Sequence, residues 1–176
     1  GEVAQSTHPD PPEVKASVDS QIAKRHFYSH LARARKNHPE AEFIYNFEGN
    51  AALLENDLPR ALAAFQKAGQ LDPEDARNQA SLAGCFFVLR QPQLAIEAAR
   101  QALEIDSAQP DANAWMGRAL GALQNEDSDY YARAALELNP DGWLSHAVMA
   151  EIYARGRQEE FAFTHLEQAL VLSPEN

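Results

Sequence analysis

A chain of 176 residues, 45% of them hydrophobic, is long enough to fold as one domain around a core of its own. Its formal net charge of −11 excludes a nucleic-acid backbone and an anionic lipid surface as natural partners, because both call for a basic stripe. No apolar run approaches the ~18 residues of a membrane span, and a lone cysteine, Cys85, excludes an internal disulfide framework. The acidic balance serves solubility first; a basic partner is the second reading.

Residues 1–16 hold three prolines and no apolar period, which predicts an extended leader or linker. Gly1 is not a native initiator, so the expectation is a cut or replaced N-terminus. That leaves the compartment open between cytoplasm and periplasm. A solitary helix is predicted over 17–38, with Val18, Ile22, Phe27, Leu31 and Ala34 spaced as one face and Asn37-His38-Pro39 ending it. Four helix pairs follow, at about 41–54 and 58–71, 75–89 and 92–105, 110–123 and 128–138, and 142–155 and 158–172. All ten prolines fall in the leader, between pairs, or in a first helical turn, as Pro59 and Pro92 do, where no helical hydrogen bond is lost. Nothing alternates with period two, so no strand is predicted.

The pairs repeat. Pro39 and Pro73 stand 34 residues apart, as do Pro140 and Pro174, and Ser107 follows Pro73 by the same interval. Self-similarity at this period marks a helical repeat array. Residue size repeats as well. One turn of each first helix carries a small residue: Gly49, Ala83, Gly117, Ala150. Each second helix carries an alanine at Ala61, Ala95 and Ala162, with Ser128 in the third pair, and another at Ala68, Ala102, Ala135 and Ala169. Two helices joined by a short turn approach closely only where side chains are small.

The first copy, Tyr45…Gly49…Ala61…Phe65…Ala68…Pro73, resembles the tetratricopeptide repeat (TPR) family. It departs at Glu48, where a leucine is usual. The other copies keep Ala83, Phe86, Ala95 and Ala102; Gly117, Leu120, Ala135 and Pro140; and Ala150, Tyr153, Ala162, Ala169 and Pro174. The third has lost one residue near Gln124–Asp127. The resemblance covers 41–174 and implies an all-α, right-handed α-solenoid of four repeats, about 41–74, 75–108, 109–141 and 142–175. The helix over 17–38 looks like a degenerate half repeat before them.

In proteins of this family the first helices line a concave groove that holds peptides. The resemblance therefore implies a groove formed by Phe43, Asn46, Phe47, Asn50 and Leu54, by Arg77, Ser81, Gly84 and Phe87, by Trp115 and Arg118, and by Val148, Glu151 and Arg155. Phe47 and Phe87 read equally well as groove residues or as residues that fill the core between pairs or pack under the N-terminal helix. Trp115 is assigned to the groove because its neighbour Met116 takes the buried position. Aromatic and arginine residues anchor interfaces, so the expected ligand is a largely apolar peptide with an acidic residue near Arg77 or Arg118, or a segment with basic character that suits the net charge. The family's clamp for acidic chaperone tails is nearly absent: Asn50 matches, but Asn46, Ser81, Asp111 and Trp115 stand where lysines, an asparagine and an arginine are needed.

No catalytic motif, cofactor loop or metal set is read. Cys85 aligns with Ala51, Ala119 and Ile152 and reads as a small buried residue rather than a nucleophile. His26 and His30 share a helix face without a third ligand, and Glu126, Asp127 and Asp129 read as a solvated turn. The leading expectation is a non-catalytic protein-interaction module. Two alternatives stand beside it: a chaperone for secreted bacterial proteins, and a regulatory or docking domain of a larger enzyme, transcription regulator or secretion component. The fourth pair ends the sequence without a polar capping helix, so the expectation is either a cap beyond Asn176 or self-association through that end.

Overall fold

The computed structural model of the chain describes residues 12–173. These residues form helices α1 (Pro12–Asn37), α2 (Glu42–Leu54), α3 (Leu58–Leu71), α4 (Ala76–Val88), α5 (Pro92–Ile105), α6 (Pro110–Ala122), α7 (Ser128–Leu138), α8 (Trp143–Arg155) and α9 (Glu159–Leu172), with no strand among them. The hairpins α2–α3, α4–α5, α6–α7 and α8–α9 are the most extensive contacts, and α3, α5 and α7 also pack on α4, α6 and α8 of the next pair. First helices α4, α6 and α8 lie side by side in succession. The fold is that of an all-α solenoid of helix pairs.

The helix limits expected from the proline and alanine pattern agree within one residue for α2 to α9. α1 is the exception. It begins at Pro12, five residues before the expected start. A proline in a first helical turn loses no hydrogen bond, so the prolines that suggested an extended leader up to residue 16 include the one that opens the helix. The rest of the expected leader, residues 1–11, lies outside the described residues, as does Pro174.

The hairpin seams are built from the small residues. Ala83, Ala61, Ala95, Ala68, Ala102 and Ala135 are wholly buried, and Gly49 and Gly117 are buried with them. In the third pair the seam is tightest. A Cβ on Gly117 would stand 2.9 Å from the backbone nitrogen of Ala132 and 3.1 Å from the carbonyl oxygen of Ser128. Ser128 takes the alanine position there and donates its hydroxyl to the Gly117 carbonyl oxygen at 2.8 Å. A buried hydroxyl without such a partner would cost about 1–3 kcal/mol.

The turn inside each pair is one structure used four times. Asn56, Arg90, Gln124 and Arg157 have φ of 57°, 61°, 57° and 56°, the left-handed backbone that closes a helix C-terminus. The amides of Asp57, Gln91, Asn125 and Gln158 reach back five residues to the carbonyls of Ala52, Phe86, Leu120 and Tyr153 at 2.8–3.0 Å. The turn between pairs repeats as well. Tyr45, Asn78, Asn113 and His146, in the first turn of α2, α4, α6 and α8 or just after it, each bond the carbonyl oxygen six residues earlier, in the turn they follow. The residue types differ, so this device does not show as a sequence repeat.

α1 packs sparingly on α2. Leu31 and Ala34 of its expected apolar face are half-buried, but Ile22 and Phe27 remain exposed. Polar contacts hold it instead. Lys24 pairs with Glu55 beyond the far end of α2, and Arg35 pairs with Glu48 at 3.2 Å, so the two helices run antiparallel. Tyr28 accepts a hydrogen bond from Arg60 of α3 at 2.6 Å, and Arg60 also bridges to Glu55 at 2.9 Å. Glu48 is the position where the family resemblance expects leucine, and its partner on α1 accounts for the departure.

Candidate peptide-binding surface

The surface begins with what each first helix leaves uncovered. α2 turns Ile44, Gly49 and Ala52 into the core and leaves Phe43 and Phe47 51% and 55% exposed. Their rings meet edge to face, 6.5 Å between centroids. Next to them α1 and α2 enclose an open cleft of about 530 Å³, lined by Phe27, Phe47, Ala51, Leu54, Asn50 and Glu55 among others. Leu54 is 85% exposed. The cleft wall is mostly apolar, with the Asn50 amide as a polar group on it. Phe47 thus faces the N-terminal helix, one of the two placements its sequence position allowed, but stays more than half exposed beside it.

A second aromatic pair lies on α4 and α6. Phe87 and Trp115 are 5.8 Å apart between ring centroids, both half-buried. Gly84 makes room for this arrangement: a Cβ there would stand 2.9 Å from the Trp115 indole. Trp115 also packs against two separate core clusters, one around Phe65, Leu82 and Met116 and one around Leu144, Val148 and Met149. Met116, at 4% exposure, occupies the buried position as expected. The indole thus joins consecutive pairs and presents only part of itself outward.

Arg118 completes that cluster. Its guanidinium lies 4.8 Å from the Phe87 ring centroid and 5.6 Å from that of Trp115. The same group donates to the Glu151 carboxylate at 2.9 and 2.5 Å. The expected residues Phe87, Trp115, Arg118 and Glu151 are therefore brought together across α4, α6 and α8. Their cation is already neutralised. Arg77 is in the same state: it folds back on Asp75, the N-terminal cap of its own helix, with contacts of 2.8–3.2 Å. The hydrogen bonds from Arg77 hold the Asp75 carboxyl below the usual carboxylate range. The acidic ligand residue expected near Arg77 or Arg118 thus meets ion pairs in place of free cations.

The remaining expected residues divide. Asn46 and Ser81 are half-buried, and Asn50 is exposed. Val148 is fully buried. It belongs to the core between α7 and α8, and the groove assignment is corrected on that ground. Arg155 lies over Gly121, where a Cβ would collide with its guanidinium, and donates to Ser128 at 3.1 Å. It therefore sits at the α6–α7 turn, apart from the Arg118 cluster. Cys85 is fully buried, and burial pushes its thiol up to about 11. A thiol in that state is a packing group, not a nucleophile.

No family model matches the sequence, and no curated protein does. Solved structures match the fold. The crystal structure of MamA aligns over 89% of this chain and 94% of its own, at 17% identity and a TM-score of 0.62. TTC0263, a thermophilic TPR protein of Thermus thermophilus, covers 92% and 90% at 16% identity and a TM-score of 0.71. YrrB, described as a TPR protein with an unusual peptide-binding site, covers 92% and 84% at 21% identity and a TM-score of 0.56. The fold is the TPR solenoid.

Proposed function

We propose that the chain is a non-catalytic protein-interaction module that holds an apolar segment of a partner on its first-helix surface. One observation carries the reading. Phe43 and Phe47 stand more than half exposed, side by side, beside an apolar cleft that also contains Phe27 and Leu54. Contiguous exposed aromatics of this kind mark interaction sites, and buried aromatic anchors supply most of the energy of an interface. That a solenoid of the same fold, YrrB, carries a peptide-binding site by its description supports the reading.

The chemistry of the ligand follows from the charges. Arg77 and Arg118 are each paired within the protein, so an acidic ligand residue would have to displace Asp75 or Glu151. An apolar segment avoids that cost. One or two large side chains would enter the α1–α2 cleft, and the Asn46 and Asn50 amides would bond its backbone. The ligand stays extended or helical without charge selection.

The test is a peptide-display selection against the wild-type chain, repeated with Phe43→Ala/Phe47→Ala. Selected peptides should carry aromatic or aliphatic anchors, show no acidic consensus, and lose binding to the variant. Peptides that bind both proteins equally, or an acidic consensus, would remove the proposal.

A further inference from the structure

A further cleft, apart from the one beside Phe47, opens between two second helices. α3 and α5 flank it, and Leu82 and Phe86 of α4 form its floor; it measures about 580 Å³. Gly69 of α3 and Ala98 of α5 are the small residues on its two walls. A Cβ on Gly69 would meet Gln79 and Asn78 of α4 only at 3.6 and 3.8 Å. The next interval of the array shows what fills this space elsewhere. Aligned on the recurring alanines, Gly69 corresponds to Leu103, Ala98 to Tyr131, and Leu82 and Phe86 to Met116 and Leu120. Leu103 and the half-buried Tyr131 pack on the cluster that contains Met116 and Leu120. The third interval is covered in the same way: Leu136 packs on the cluster that contains Met149, and His165 stacks on Tyr153. Among the described residues, the interval between α3 and α5 is thus the one whose two filling side chains are reduced to glycine and alanine.

The polar lining says which side chain fits. Four glutamines, Gln66, Gln70, Gln79 and Gln101, stand around the cleft, and Glu97 is the one charged residue on its lining among the described residues. Glu97 is exposed and has no ion-pair partner among them. Amides both donate and accept, so they suit a phenol hydroxyl at the end of a ring. A lone carboxylate suits a cation beside that ring. We infer that this cleft receives a tyrosine side chain of a partner protein, in the place that Tyr131 fills one interval on, with a neighbouring lysine or arginine that meets Glu97. Residues 1–11 and 174–176, outside the described residues, hold no aromatic residue and no lysine or arginine, so they do not supply that side chain. The cleft shares no lining residue with the one between α1 and α2, and the contact is separate from the apolar segment held there.

The probe is the capped tripeptide Lys-Tyr-Lys, with Lys-Ser-Lys and Glu-Tyr-Glu as controls. A lone side chain of this size binds at about millimolar concentration, too weakly for a display selection to retain, so the result does not depend on the first-helix reading. In an NMR titration Lys-Tyr-Lys should shift the backbone amides of α3 to α5 around the cleft and the side-chain amides of Gln66, Gln70, Gln79 and Gln101. Neither control should shift them at the same concentration. Ala98→Tyr, which fills the cleft as Tyr131 does, should abolish the shifts, and Gly69→Leu should reduce them. Glu97→Gln alters an exposed side chain and leaves the packing alone; it should weaken binding about threefold and remove its salt dependence. Phe43→Ala/Phe47→Ala should change nothing. No shifts, equal shifts with Lys-Ser-Lys, shifts confined to α1 and α2, or wild-type affinity in Glu97→Gln would overturn the inference. So would self-association seen by sedimentation and abolished by Tyr130→Ser, for Tyr130 is 70% exposed and the occupant would then be a second copy.

Discussion

Arg90 holds φ of 61° with a side chain attached, a conformation that costs an L-residue roughly 1–2 kcal/mol and glycine almost nothing. The side chain is exposed, so its loss removes no core contact. Arg90→Gly should raise stability by up to about 1 kcal/mol, read as a higher Tm; a lower Tm would contradict the turn geometry. His165 gives a pH dependence. Its imidazole is half-buried, faces His146 at 2.9 Å between Nδ1 atoms, and stacks on Tyr153. His146 Nε2 lies 2.8 Å from the Pro140 carbonyl, which can only accept. His146 therefore accepts at Nδ1, and His165 donates. Burial, and then the neighbouring His146, hold the His165 pKa below its ordinary 6.5. A lowered base is fully neutral, and its contribution intact, above its unfolded pKa. Stability is lost as pH falls through that value, because the unfolded chain binds the proton more readily. The Tm should fall as pH drops from about 7.5 towards about 5.5, and His165→Gln should flatten that slope. An unchanged slope would sink the assignment.

Helix packing separates glycines that look alike in sequence. Gly117 meets backbone atoms of α7 within 3.1 Å, whereas Gly69 has only ordinary van der Waals space around its missing Cβ. Gly117→Ala should destabilise by about 1–3 kcal/mol through overpacking of a seam that cannot yield. Gly69→Ala should be neutral or stabilising by up to about 1 kcal/mol, since it removes a glycine from a helix interior. Thermal unfolding of the two variants measures both, and equal effects would contradict the seam geometry. Periodicity identified Gly117 because seams recur with the repeat. It could not grade Gly84 or Gly121, whose neighbours Trp115 and Arg155 come from other pairs. The polar links from Tyr45, Asn78, Asn113 and His146 to the turns were also hidden, since three residue types serve one geometric purpose.

At the scale of the molecule the array and its first helix are held by different forces. α2 to α8 share apolar clusters that cross from pair to pair, and α9 packs along α8. α1 is held by the pairs Lys24–Glu55 and Arg35–Glu48 and by the Arg60–Tyr28 contact. At ~1 M salt the screening length shrinks to about 3 Å, and exposed pairs lose most of their small contribution. Limited trypsin digestion should then cut within α1 faster as salt rises, at Arg25 or Arg33, while α2 to α9 stay intact. Unchanged cleavage would show that apolar contact anchors the helix. Proline and alanine spacing made the solenoid legible, because a repeat must reuse its seams. The surface was legible only in part. Which arginines are free depends on partners such as Glu151, 33 residues from Arg118, and the cleft wall comes from a helix outside the regular repeats.

If the first-helix surface around Phe43, Phe47 and the α1–α2 cleft receives the partner, binding must slow amide exchange there. Hydrogen exchange by mass spectrometry, with and without a display-selected peptide bound, measures this directly. Protection should rise in α2 and the facing part of α1, extend to α4, and leave α5 and α7 unchanged. Protection concentrated in α5 and α7, with α2 unaffected, would contradict the account.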